Sequence, residues 1–211
     1  TTADTNTAVG YDAMSNNTTG GENTAVGWRA LYTNVTGDYN TAFGREALYS
    51  STNGYNTAFG RVALYACTTG TNNNAFGLNA LNTVTTGSDN IGMGRNSGAN
   101  ITTGIENICI GNYSLDACVD GNKNTAVGHY CMSDLTTGTG NCAVGENCAG
   151  DITTGNYNVA MGMDAGRTLT TGSDNIYIGR SSGLFTAGGN YNTCVGLEAG
   201  RGASSSNKAT G

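Results

Sequence analysis

An Asn followed four residues later by a Gly returns at a nearly fixed interval along the whole chain, and this one feature dictates a stack of like units. The Asn stands at positions 6, 23, 40, 56, 73, 90, 107, 124, 141, 158, 175 and 192. The interval is 17 residues except between Asn40 and Asn56, where it is 16. Gly follows every time, from Gly10 and Gly27 to Gly179 and Gly196. Short fixed periods are the mark of solenoids, in which each unit covers its apolar side only by stacking on its neighbours. Twelve copies fill residues 1–202 and leave 203–211 as a polar tail.

Counting phases from the repeat Asn as zero, phase 3 is always large and apolar, as in Val26, Phe43, Phe59, Phe76, Met93 and Ile110. Phase 2 is mostly small, and phase 1 is Thr or β-branched in most copies. This two-residue alternation predicts a short strand, with phase 3 as a fixed core position. A second apolar position is phase 8, as in Leu31, Leu48, Leu64, Leu81 and Leu115. It becomes Gly98, Gly166 and Ala149 in copies that carry Ile101, Leu169 and Ile152 at phase 11. Close packing of interiors makes this exchange one core volume filled from either of two places, so each copy closes into a rung around a shared interior. Thr-Thr-Gly groups such as 102–104 and 153–155 supply turns. The expectation is an all-β parallel β-solenoid of twelve rungs, each with two short strands and two turns. At about 4.8 Å per rung the rod is on the order of 58 Å long.

Composition removes several function classes. Net charge is −6 with nine Lys and Arg in all, which is not the make-up of a nucleic-acid groove. No stretch has the roughly 18 apolar residues of a membrane span. So narrow a coil carries a severe surface-to-volume penalty, and neither end of the chain reads as a cap. Association into a trimer that covers one face of each coil, together with flanking domains, is the expected remedy.

Asn23-Thr24-Ala25-Val26-Gly27 and its equivalents resemble the left-handed parallel β-roll of trimeric autotransporter adhesin heads. The longer form N-T-A-V-G-x-x-A-L followed by Thr-Thr-Gly, clearest in Asn40 to Leu48 (NTAFGREAL) and Asn56 to Leu64 (NTAFGRVAL, with Thr68-Thr69-Gly70 after it), resembles repeats of phage tail fibres still more closely. That resemblance covers essentially the whole chain. It implies a left-handed, homotrimeric or end-to-end fibre segment used in attachment, at a virion surface or outside the cell. The small and large residues inside the motif are not placed as in the autotransporter version.

Candidate site residues divide into structural and binding sets. The Asn column (Asn23, Asn40, Asn56, Asn73, Asn90, Asn107, Asn124, Asn141, Asn158, Asn175) is expected to be a buried amide ladder, with a polar binding stripe as the alternative. Tyr32, Tyr49 and Tyr65 share phase 9 of consecutive rungs, with Trp28, Arg45 and Arg61 at phase 5 beside them. This cluster is either a cell-surface glycan platform or a stacking ladder that stabilises the rod. Cys131 and Cys148 share phase 7 of adjacent rungs, at a spacing that allows a disulfide; small-residue packing is the alternative. No Cys spacing marks a metal site, and no cofactor is expected. His129, the only histidine, sits in a variable column without a partner that would make it catalytic. Acidic residues ahead of the Asn (Glu22, Asp89, Glu106, Asp174) resemble those of calcium-binding β-rolls, but the Gly-rich pattern of those loops is missing. The reading is therefore a non-enzymatic structural or adhesive fibre segment. An ice-binding or glycan-binding solenoid is the alternative; the neighbouring Thr of the turns would point to opposite sides of a strand, unlike a paired ice-binding array.

Overall fold

The structure, a computed structural model, describes residues 4–184 and 187–202. The 203–211 tail lies outside the described residues. Twelve strands of three residues follow one another: β1 (Thr7–Val9), β2 (Thr24–Val26), β3 (Thr41–Phe43), β4 (Thr57–Phe59), β5 (Asn74–Phe76), β6 (Ile91–Met93), β7 (Ile108–Ile110), β8 (Thr125–Val127), β9 (Cys142–Val144), β10 (Val159–Met161), β11 (Ile176–Ile178) and β12 (Thr193–Val195). All pair in parallel in sequence order, forming one sheet of a β-solenoid. Register is strict, with Thr24 opposite Thr41, Ala25 opposite Ala42 and Val26 opposite Phe43. Among the described residues there is no helix.

Each rung holds one strand, not the expected two. The remaining residues turn, yet still bond from rung to rung: Arg29 N–H donates to Tyr11 O at 2.9 Å, and Leu31 N–H to Ala47 O at 2.9 Å. Besides the Gly after the strand, positive φ recurs at three places per rung, illustrated by Arg29 (+52°), Leu31 (+51°) and Tyr39 (+59°). A bulky Leu in this region is sterically disfavoured. It persists because the flanking amides are tied to the next rung. A 17-residue coil therefore closes by sharp corners, which leaves length for only one strand.

The phase 3 residues, expected in the core, face outward. Phe43 is 47% exposed and Phe59 41%, whereas Ala42 and Ala58 between the outward residues are fully buried. Alternation determines which residues share a side of a strand, not which side is inside. Here the inside belongs to Leu31, Leu48, Leu64 and Leu81 with the small residues at phases 2 and 7, and a Phe pointing inward would claim the same volume.

The exchange between phases 8 and 11 takes place in three rungs, while two others bury a large side chain at both phases, Leu81 with Val84 and Met132 with Leu135. Ile101, Ile152 and Leu169 are fully buried in the rungs that carry Gly98, Ala149 and Gly166 at phase 8. Leu81 Cδ2 lies 2.8 Å from where a Cβ on Gly98 would stand, and Leu81 Cγ 2.7 Å from one on Gly92, so neighbouring rungs share the balance. The shorter interval is absorbed at phase 13. Asn53 O takes the place of the turn Gly carbonyl, accepting from Asn40 Nδ2 at 2.8 Å, and Thr41 still pairs with Thr57.

Two invariant residues follow from this stacking. The Gly after each strand has φ between +122° and +143°, and a Cβ on Gly27 would lie 2.6 Å from Gly44 O. The Asn forms a continuous buried ladder. Asn107 Oδ1 accepts the Asn124 backbone N–H at 3.0 Å, while Asn107 Nδ2 donates to Gly121 O at 2.8 Å and to Asn90 Oδ1 at 3.1 Å. The same links join Asn141, Asn158 and Asn175. Both hydrogen-bonding functions of the amide are used, as a buried amide requires.

Candidate functional surface

Because the interior is closed, chemistry directed at a partner has to come from the outer surface of the rod. Along the outer face of the sheet the phase 3 residues make an apolar ribbon. Phe43, Phe59 and Phe76 stack with centroids 5.0 and 5.7 Å apart, and Met93, Ile110, Met161 and Ile178 continue the line, all exposed. Ile91, Ile108, Val159 and Ile176 at phase 1 lie beside it. The first Thr of each turn bonds along the stack, Thr85 Oγ1 donating to Thr102 O at 3.1 Å and Thr136 Oγ1 to Thr153 O at 3.0 Å, while the second is exposed, so that Thr69, Thr86, Thr103, Thr137, Thr154 and Thr171 share one outward column at phase 13.

Beyond the strand Gly lies the aromatic and basic cluster. Tyr32, Tyr49 and Tyr65 are half-buried and stacked, with centroids 5.2 and 5.0 Å apart and planes within 12° of parallel. Arg45 lies over Trp28 with its guanidinium 4.7 Å from the ring centroid, while Arg61 is exposed one rung further on. Sequence reasoning missed Arg29, which joins the two columns. Its guanidinium is 4.7 Å from the Trp28 centroid and 5.3 Å from that of Tyr32, and it reaches Asp12 at 3.4 Å. Its phase is the neighbour of Trp28's, and that adjacency was the available signal. Ring faces that a sugar would stack on are thus largely covered by neighbouring rings and guanidinium groups. What the cluster offers outward is edges and hydroxyl groups.

Cys131 and Cys148 stand on adjacent rungs as fully buried free thiols. Each donates to a backbone carbonyl, Cys131 to Ala143 O at 3.3 Å and Cys148 to Ala165 O at 3.5 Å. His129 packs against Tyr130 with centroids 4.3 Å apart. On the other border of the sheet Tyr39 stacks on Tyr55 at 5.0 Å. A hydrogen bond to Glu22 and that carboxylate's charge hold the Tyr39 phenol above its ordinary range. Among the described residues there is no concave pocket and no cluster of metal-ligating side chains. Comparison with protein-family models, with curated proteins and with solved structures gives no match.

Proposed function

We propose that this chain is a non-enzymatic structural segment of a fibre, of the kind found in phage tail fibres or microbial surface appendages, and that it serves attachment at a virion or cell surface. The observation that carries the reading is the apolar ribbon on the outer face of the sheet, with Phe43, Phe59, Met93, Ile110, Met161 and Ile178 exposed in line. A continuous apolar strip of this length is the mark of a surface that associates. A rod with no taper and a partner-seeking strip along its length suits a shaft built from several copies, a homotrimer in this reading. Regularity speaks for a non-catalytic role as well: the interior is filled rung by rung with side chains, and catalytic groups need a cleft in which to converge.

Sedimentation velocity or native mass spectrometry on the purified chain tests the proposal. A defined oligomer that Phe59→Asp dissociates supports it, since that charge would be buried without a partner. A stable monomer at high concentration removes its main support.

A further inference from the structure

At β6 and β11 the two borders of the apolar ribbon carry opposite, internally unpaired charge at the same height. Ahead of the strands stand Glu22 (β2), Asp38 (β3), Asp89 (β6), Glu106 (β7) and Asp174 (β11), all exposed. Beyond the strands stand Arg29 (β2), Arg45 (β3), Arg61 (β4), Arg95 (β6) and Arg180 (β11). In β2, β3, β6 and β11 an acid and an Arg therefore flank the same three-residue strand. Where the first border turns basic, at Lys123 before β8, the second turns acidic within one rung, at Glu146 after β9. Other acids on the second border are neutralised inside the chain. Asp12, Glu46, Asp164 and Glu198 pair with Arg29, Arg45, Arg167 and Arg201 at 2.9 to 3.5 Å. Arg61, Arg95 and Arg180, and the acids Asp89, Glu106 and Asp174, have no ion pair among the described residues.

Asp89 and Arg95 cannot meet within one chain, because the extended segment between them spans on the order of 15–20 Å. We infer that they meet between copies: the ribbon is covered by a second copy of this chain, parallel and in register, with the acidic border of one copy against the Arg border of the next. The inference deepens the self-association proposed above and rests on it. Symmetry makes the choice. With the axis parallel to the rod, every interface sets the border before the strands against the border after them at equal height, so Asp89 meets Arg95 and Asp174 meets Arg180. An antiparallel pair about an axis along the strands sets like borders together. β6 would then face β7 and β2 would face β11, bringing Asp89 against Glu106 and Glu22 against Asp174. Like charges directly opposed disfavour that arrangement.

The test is charge reversal read by sedimentation velocity at low ionic strength, with circular dichroism to verify the fold. Arg95→Glu with Arg180→Glu should weaken self-association at least tenfold, and Asp89→Lys with Asp174→Lys should do the same. Lys123 already occupies the Asp89 position of its own rung at a φ of +58°, so Lys is compatible with that backbone. Combining all four changes restores opposite signs at every interface and should return the assembly to wild-type strength. The inference is overturned if either two-site variant assembles as well as the wild type, or if the four-site variant stays dissociated while folded. A wild-type chain that is itself monomeric would remove the self-association reading. Intact assembly in both two-site variants would leave that reading standing and remove only the border pairing.

Discussion

The ring of Tyr177 fills the space that a side chain on Gly183 would need. Tyr177 stands at phase 2 of β11, where the other rungs carry Ala, Gly or Cys, and it is fully buried. Gly183 follows in the same rung, and a Cβ there would run into the ring; one on Gly166, a rung away, would stand 2.8 Å from Tyr177 Cδ2. The core volume that Leu supplies at phase 8 in the early rungs is here supplied from the strand.

Tyr177→Ala therefore leaves a cavity with Gly on both sides and should cost about 3–5 kcal/mol. Gly183→Leu alone overpacks and should cost about 1–3 kcal/mol. Together they recreate the Ala and Leu pairing of Ala25 with Leu31. The double variant should be more stable than Tyr177→Ala alone, with a coupling of the order of 1 kcal/mol or more. Urea denaturation of the four proteins measures the cycle, and additive costs would show that the two positions do not share one volume.

Asn107 is expected to be as costly to replace as its four hydrogen bonds suggest. Asn107→Ala strands the Asn124 backbone N–H and the Gly121 carbonyl in the interior, at about 1–3 kcal/mol for each orphaned group. Asn107→Asp keeps the acceptor but sets a carboxylate oxygen 2.8 Å from Gly121 O, where the Asn donates. A carboxylate held there takes up its proton more readily in the folded state than in the unfolded one. The Asp variant should accordingly be most stable below the unfolded carboxyl pKa and weaken as pH rises, whereas the Ala variant should show no added pH dependence. Thermal melts at acidic and neutral pH separate the two.

The legible part of the fold was the part that repetition enforces: the solenoid, the Gly at each strand end, the Asn ladder and the trade between phases 8 and 11. The side on which Phe43 and its equivalents lie was not legible, because a period of two is the same pattern with either face inward. A hint was present in the copies with both Phe at phase 3 and Leu at phase 8, since Phe59 and Leu64 together overfill a rung this narrow. Tyr177 was hidden for a related reason: read as one residue in a column of small ones it is an anomaly, and only the flanking Gly166 and Gly183 turn it into packing. The Tyr32, Tyr49 and Tyr65 column was legible as a stack, but its link to Trp28 through Arg29 depends on side-chain reach that spacing does not give.

Asp116 should make stability fall as pH rises across a defined window. Burial first, and then the charge of Asp134 on the next rung, push its carboxyl up to about 6, while its own backbone N–H opposes the shift. An unfolded Asp titrates near 3.9. Between these values the folded state holds the proton more tightly, so stability is highest below the lower value, declines up to about pH 6, and is level above it. Asp151 is raised too, by burial and by Asp134, with Arg167 opposing. Asp116→Asn should flatten most of this decline and Asp134→Asn part of it, in denaturation midpoints measured from pH 4 to 7. An unchanged slope in both variants would place the dependence elsewhere.

Thiol labelling should single out Cys142. Six of the seven cysteines are buried, and burial pushes Cys67 up to about 12 and Cys118 up to about 11, far from the thiolate that reacts. Cys142 is the first residue of β9 and half-buried on the outer face of the sheet, beside the apolar ribbon. In the native protein a maleimide should add once, at Cys142, and the other six should react only after denaturant exposes them. Because Cys142 lies on the face proposed to be covered by a second copy, its labelling rate should also drop as protein concentration rises through the association range. Phe59→Asp, which is expected to dissociate the assembly, should hold the rate at its dilute value at every concentration. Peptide mapping after a timed pulse measures both effects. A rate independent of concentration in an otherwise associated protein would move the contact away from this face of the sheet.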